Sequence, residues 1–299
     1  MGGRTVRRRV ARIRVGGAGL GPCPTLSEQA DLLAAEEPLG IRIDGQPLTL
    51  TMRTPGDDVD LTAGFLVSEG IVASARDIAS IRICDGVRCG HDHSAGDEIG
   101  NVADVVLRPG LTVPPGLRRN FLTSSACGVC GKASIDELRV SGRFDLNGDQ
   151  LQVSADVLAG LPDTLRRAQR VFDRTGGLHA AALFTAAGQL LANREDVGRH
   201  NAVDKLVGWA LQAGRLPLTG CVLLVSGRAS FELVQKTVLA GAPVLAAVSA
   251  PSSLAAELAE QSGLTLVGFL RGGSMNVYSC GWRITTRAPS PAPATQPIG

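Results

Sequence analysis

The stretch CVLLVSGRASFELVQKTVLAGAPVLAAVSAPSSLAAELAEQSGLTLVGFL, residues 221–270, decides the fold. Three short apolar runs, CVLLVSG, PVLAAVS and LTLVGFL, alternate with SFELVQKTVLAG and SSLAAELAEQSG, whose apolar residues recur at helical spacing and whose ends are marked by glycine. Strands separated by amphipathic helices imply a three-layer α/β sheet with mainly right-handed crossovers. Upstream, RHNAVDKLVGWALQ reads as a further helix and LHAAALFT as a further strand. DVLAGLPDTLRRAQRVFDRTGG reads as one helix, with Leu158, Leu161, Leu165, Ala168 and Phe172 on one stripe and Gly176-Gly177 closing it.

The N-terminal part has a different rhythm. Ile41–Ile43 and Leu48–Arg53 read as strands joined through Asp44-Gly45. DVDLTAGFLVSEGIV reads as a helix with Asp58 or Asp60 near its start and Gly70 after its end, and ADVVLRPG as another strand. In VARIRV, Ala11, Ile13 and Val15 fall on one face and Arg12 and Arg14 on the other, the period of a half-buried strand. The expected layout is α/β (α+β overall): a mixed α+β domain over residues 1–125, a three-layer domain over 126–286 and a Pro- and Ala-rich disordered tail over 287–299.

With 299 residues, 44% of them hydrophobic, the chain can build substantial cores. A formal charge of +2 gives the molecule as a whole no preference for nucleic acid or an anionic membrane, so anion binding must come from local sites. No apolar run of about 18 residues is present to span a membrane, and none follows the basic start MGGRTVRRRVARIRVGG. Seven cysteines are an odd number and too sparse for a disulfide scaffold. These features point to the cytoplasm.

In open α/β sheets, ligands bind beyond the carboxyl ends of the strands, where helix N-termini present unpaired N–H groups to anions. Three strands end suggestively: Ser226-Gly227-Arg228, Ser249 to Ser253, and Leu270-Arg271-Gly272-Gly273-Ser274. Small residues permit close backbone approach, and each arginine offers a planar fork suited to phosphate. Each piece alone is explained as simply by a helix cap or a hairpin turn; their recurrence at neighbouring strand ends favours a phosphate-bearing ligand. EDVGRHNAVDK, Glu195 to Lys205, sets carboxylates, Arg199 and His200 around a helix start, either as capping groups or as residues lining that crevice. His179 reads as a hydrogen-bonded structural histidine. Cys84, Cys89, His91 and His93 are either a Cys₂His₂ site with an uncommon spacing or an accidental cluster in a loop.

TSSACGVCGK carries Cys127 and Cys130. A four-thiolate zinc ribbon needs a second Cys-x-x-Cys, and the sequence has none. A thioredoxin-type pair would follow the first strand of a small βαβ unit. Zinc deaminases pair Pro-Cys-x-x-Cys with an earlier His-x-Glu, whereas here Ala126 replaces the proline and no His-x-Glu precedes it. Nucleophilic sulfur chemistry remains, with Lys132 and loop amides favouring a thiolate.

Six motifs in order, TSSACGVCGK, TGGLHAAAL, EDVGRHNAVDK, SGRASFELVQK, APSSLA and GFLRGGSMNVY, make the chain resemble the sulfur carriers of the FdhD/NarQ family, accessory factors for formate dehydrogenase. The resemblance runs from about Ile41 to Tyr278. It implies a cytidine deaminase-like C-terminal domain, and a cysteine desulfurase that passes persulfide sulfur to Cys127, with Cys130 as helper. It further implies delivery of that sulfur to the molybdenum of a bis(molybdopterin guanine dinucleotide) cofactor, bound as cargo near Phe269, Leu270, Arg271, Gly272, Gly273 and Ser274. No permanently bound cofactor or metal is expected; a homodimer is, both from the resemblance and as the commonest assembly of soluble proteins. The competing readings are a zinc-dependent nucleobase deaminase relative and a cofactor-binding chaperone with incidental thiols.

Overall fold

The computed structural model describes residues 3–15, 25–84, 101–111, 113 and 144–286. The run over residues 221–270 forms the centre of a six-stranded sheet: β10 (Cys221–Val225), β11 (Val244–Ala247) and β12 (Thr265–Arg271) are parallel neighbours. Antiparallel strands flank them. β13 (Ser274–Ser279) pairs with β12, while β8 (His179–Thr185) pairs with β10 and β9 (Leu190–Asp196) with β8. The sheet is therefore mixed, and its order is β13-β12-β11-β10-β8-β9.

Alternate residues of these strands feed two cores. Ala180, Ala182, Phe184, Val222, Leu224, Ala246 and Val267 pack with Leu158, Leu161 and Leu165 of helix α2 (Ala155–Ala168) on one face. On the other, Ala181, Leu183, Leu223, Val225 and Leu245 meet helices α4 (Arg199–Gln212), α5 (Phe231–Leu239) and α6 (Ser253–Gln261). Burial on both faces is why these strands are continuously apolar.

The second core continues into the N-terminal part. There β3 (Glu37–Ile43), β4 (Gln46–Arg53), β5 (Ile78–Cys84) and β6 (Val102–Leu107) form a sheet in the order β4-β3-β6-β5, with helix α1 (Asp58–Ser68) beside it. The β3–β4 turn runs through Asp44 and Gly45, both left-handed at φ 49° and 76°, as the Asp-Gly signal requires. Helix α1 crosses α4 closely enough that a Cβ on Gly64 would lie 1.8 Å from the Asp204 carbonyl oxygen, and one on Gly208 1.8 Å from that of Asp60. Only glycine fits there. A short parallel pair, β7 (Val153–Ser154) with β14 (Ile284–Thr285), closes the described chain.

Two expectations are corrected. The helix read over 156–177 is broken into α2 and α3 (Arg170–Thr175) at Gln169, whose ψ of 75° is not helical. The cause lies on β9: the Glu195 carboxylate accepts from the N–H groups of Val171 and Phe172 at 3.0 and 2.7 Å, and Asn193 donates to the Ala168 carbonyl. These side chains satisfy groups that a continuous helix would have paired internally. Val10 to Arg14 of VARIRV do form a strand, within β1 (Thr5–Arg14), but not a half-buried one. Among the described residues it pairs only with β2 (Thr25–Ala34), and Ile13 remains 64% exposed.

Candidate functional site

The carboxyl edge of the parallel strands gathers most of the residues that the sequence singled out. Ser226 follows β10 and exchanges two bonds with Ala180 of β8: its N–H donates to the Ala180 carbonyl and its hydroxyl accepts from the Ala180 N–H, each at 2.9 Å. This latch brings the start of β8 to the end of β10, so that a Cβ on Gly227 would stand 3.4 Å from Nδ1 of His179. The neighbouring strand ends are laced on in turn. Ser249 donates its N–H to the Gly227 carbonyl at 3.3 Å, and Phe269 donates to the Ser249 carbonyl at 3.1 Å.

Beneath the crevice, a pocket of about 470 Å³ is lined by Arg166, Gln169, Phe172, Gly177, His179 and Ser226, among others. Arg166, Gln169, His179 and Ser226 give it polar walls beside the Phe172 ring. Burial pushes the His179 pKa below the usual histidine value, the neighbouring Arg199 and His200 act in the same direction, and Asp196 opposes them. His179 is thus held neutral at pH 7, able to donate at one ring nitrogen and accept at the other.

EDVGRHNAVDK divides its labour. Asp196, fully buried, receives Lys205 at 2.7 Å, the Thr54 N–H at 3.0 Å and the Gly198 N–H at 2.8 Å. Asn201 donates to Asp196 and to the Met52 carbonyl, and Asp204 pairs with Lys236 at 2.7 Å while accepting from Ser68 at 2.6 Å. Those residues bind the N-terminal sheet to the six-stranded one. Arg199 and His200, at the first turn of α4, are positioned otherwise. His200 Nε2 donates to Glu232 at 2.6 Å and lies 3.3 Å from the Ser230 hydroxyl, and Nε of Arg199 is buried with no hydrogen-bond partner among the described residues. A buried guanidinium nitrogen left unpaired is costly, and a bound anion would relieve it.

The remaining candidates spread outward. Arg228 is exposed at the rim. Phe269 is half-buried with φ 52°, and the Arg271 guanidinium stands 5.6 Å from its ring centre. Gly272 and Gly273, both at positive φ, make the turn from β12 to β13, closed by the Ser274 hydroxyl on the Arg271 carbonyl. The Leu270 side chain is fully buried in the core beneath α2. Cys127 and Cys130 lie outside the described residues, as do Cys89, His91 and His93; Cys84 is the last residue of β5. Two further thiols are described, and burial raises the pKa of both Cys221 and Cys280, making them poor nucleophiles at neutral pH. His179 lines the crevice as well, a place that its position in the sequence did not announce. Its only signal was the position before an apolar run, shared by many structural histidines.

A mixed α/β protein with a basic crevice at its strand ends is the class that this geometry defines. The family profile for FdhD/NarQ matches residues 34–285, and the chain belongs to the FdhD/NarQ family. It is 58% identical over 290 residues to the sulfur carrier protein FdhD of Streptomyces avermitilis, covering 96% of this chain and 98% of that one. Against the sulfur carrier protein FdhD of Mycobacterium tuberculosis it is 57% identical over 256 residues, 85% of this chain and 92% of the relative. In fold it is similar to a crystal structure from Desulfotalea psychrophila described as a candidate formate dehydrogenase accessory protein. The TM-score is 0.70 at 24% identity, over 95% of this chain and all of that one.

Proposed function

We propose that the chain is a cytoplasmic, homodimeric sulfurtransferase that takes persulfide sulfur from a cysteine desulfurase onto Cys127. It passes that sulfur to the molybdenum of a bis(molybdopterin guanine dinucleotide) cofactor, held as cargo and required by a formate dehydrogenase. The observation that carries the reading is the family match over 34–285, which contains TSSACGVCGK, among relatives named as sulfur carriers.

The Cys127 thiolate attacks the outer sulfur of the donor's persulfide; a new S–S bond forms, the old one breaks, and the desulfurase leaves as a thiolate. Release requires two electrons. Attack by the Cys130 thiolate on the inner sulfur would form a Cys127–Cys130 disulfide and free the outer sulfur as sulfide. The crevice supports the cargo half of the reading: Arg199, His200 and the Ser226–Arg228 turn suit the pyrophosphates of a dinucleotide, and neutral His179 can hydrogen-bond without adding charge.

Cys127→Ala should abolish formate dehydrogenase activity in a strain that depends on this chain, with the dehydrogenase polypeptide still present. Full activity in that strain would overturn the assignment.

A further inference from the structure

Among the described strands, the two larger sheets have four edges, β13 and β9 in one and β4 and β5 in the other. An edge keeps a row of unpaired N–H and C=O groups open to a further strand, and proteins guard against that with charge, proline or cover. Three of these edges are guarded. β9 carries Arg194 and Glu195, engaged respectively by Asp60 of α1 at 2.7 Å and by the first amides of α3; β4 contains Pro47 and Arg53, and β5 contains Arg82. β13 has no such guard. From Gly272 to Trp282 no residue is charged and none is proline, and β13 pairs only with β12 among the described residues.

Its large side chains are bare as well. Val277 is 44% exposed, Tyr278 38% and Trp282 47%, with Gly281 bringing the turn before Trp282 against Val277. These residues flank the edge from both faces of the sheet. Val277 sits opposite Val267, and with Met275 it lies on the face whose core packs beneath α2. Asn276 sits opposite Gly268 on the other face, where the Tyr278 ring is 2.9 Å from the place a Cβ of Gly268 would take, beside Pro251 at the entry to α6. A strand laid along this edge uses both sets, because each of its residues meets its opposite number on the same face.

The edge is complementary to itself. Its register slips between Val277 and Ser279, so regular alternation spans Ser274 to Tyr278, a stretch centred on Asn276. Antiparallel pairing of two identical strands about a two-fold axis through Asn276 sets Met275 against the partner's Val277 on one face. On the other it sets Asn276 against the partner's Asn276, and Ser274 against the partner's Tyr278. Apolar groups meet apolar groups, an amide meets an amide, a hydroxyl meets a hydroxyl, and no like charges are brought together. We propose that β13 is the seam of the homodimer, along which two copies join their six-stranded sheets edge to edge. This rests on the homodimeric reading above. The seam also completes the candidate cargo segment Phe269 to Ser274, since the partner's Tyr278 is placed beside Ser274 at the end of the β12–β13 turn.

Sedimentation velocity of the full chain over a concentration series reads the assembly directly. N276K/V277K places lysines of both copies at the seam and should weaken dimerisation at least roughly 30-fold, since each change enters the interface twice. V106K, at a comparably exposed valine of β6, should leave dimerisation as it is. A second variant does not depend on how well β13 tolerates lysine. Asn276→Cys puts two thiols at the axis, where opposed Cα atoms about 4.5–5.5 Å apart are within disulfide reach. Mild oxidation should then give a covalent dimer whose 276–276 bridge is found by peptide mass spectrometry, and Val106→Cys should give no 106–106 bridge. A dimeric wild type that the lysine pair leaves intact, or an Asn276→Cys dimer that forms no such bridge, would overturn the seam. So would a lysine variant that stays dimeric and loses only its hold on a desulfurase or a dehydrogenase. A wild-type chain that remains monomeric at every concentration would instead sink the homodimeric reading itself, so the two failures are separable.

Discussion

The seam between α1 and α4 and the crevice at the start of α4 are built from the same eleven-residue motif, yet their charges are used in opposite ways. At the seam, each described carboxylate of the motif has a full set of partners: Asp196 with Lys205, Thr54 and Gly198, Asp204 with Lys236 and Ser68, Glu195 with the first amides of α3. In the crevice, Arg199 keeps a buried Nε without a partner among the described residues, and burial lowers the His179 pKa. Paired buried charge fixes how two sheets meet, and unpaired charge is what remains to meet a ligand.

That contrast can be broken at its strong end first. Lys205→Met leaves Asp196 as an unmatched carboxylate in the seam and should cost about 3–5 kcal/mol in urea unfolding. A cost under about 1 kcal/mol would show that the seam does not depend on the pair. Gly208→Ala forces a methyl against the Asp60 carbonyl and should cost about 3 kcal/mol; wild-type stability would show that α1 and α4 are not in contact. Ser252→Ala removes the hydroxyl that accepts the Ala255 N–H at the start of α6 and should cost about 1 kcal/mol.

At the crevice the expected effect is smaller and depends on pH. The folded-state pKa of His179 lies below its unfolded value, so the unfolded chain binds the proton more readily. The stability tied to neutral His179 is therefore complete above the ordinary histidine pKa of about 6.5 and is lost as the pH falls from there toward the folded value. His179→Gln should flatten the stability profile over that interval. An unchanged slope would mean that the ring is not desolvated.

The strand and helix run over 221–270 was legible because each strand is apolar on both faces and each helix carries its own stripe and stop. The Asp44-Gly45 turn was legible because its chemistry is local. The break at Gln169 was not, since it depends on Glu195 and Asn193 from a strand two elements away that competes for the helix amides. Alternation in VARIRV gave the strand but not its exposure, because period alone does not say whether anything covers the apolar face. For the candidate site, the rule for strand ends pointed to Ser226 to Arg228, and the helix start in EDVGRHNAVDK pointed to Arg199 and His200. Leu270, named with Phe269 to Ser274 at the end of its strand, turns its side chain to the core, as alternate residues along a strand must.

The carrier account stands or falls on one thiol. Intact-mass measurement after incubation with a cysteine desulfurase and free cysteine should show one added sulfur atom on the wild-type chain, mapped to the Cys127 peptide and absent from Cys127→Ala. Wild-type protein that gains no sulfur, or a Cys127→Ala chain that gains it equally, would contradict the account.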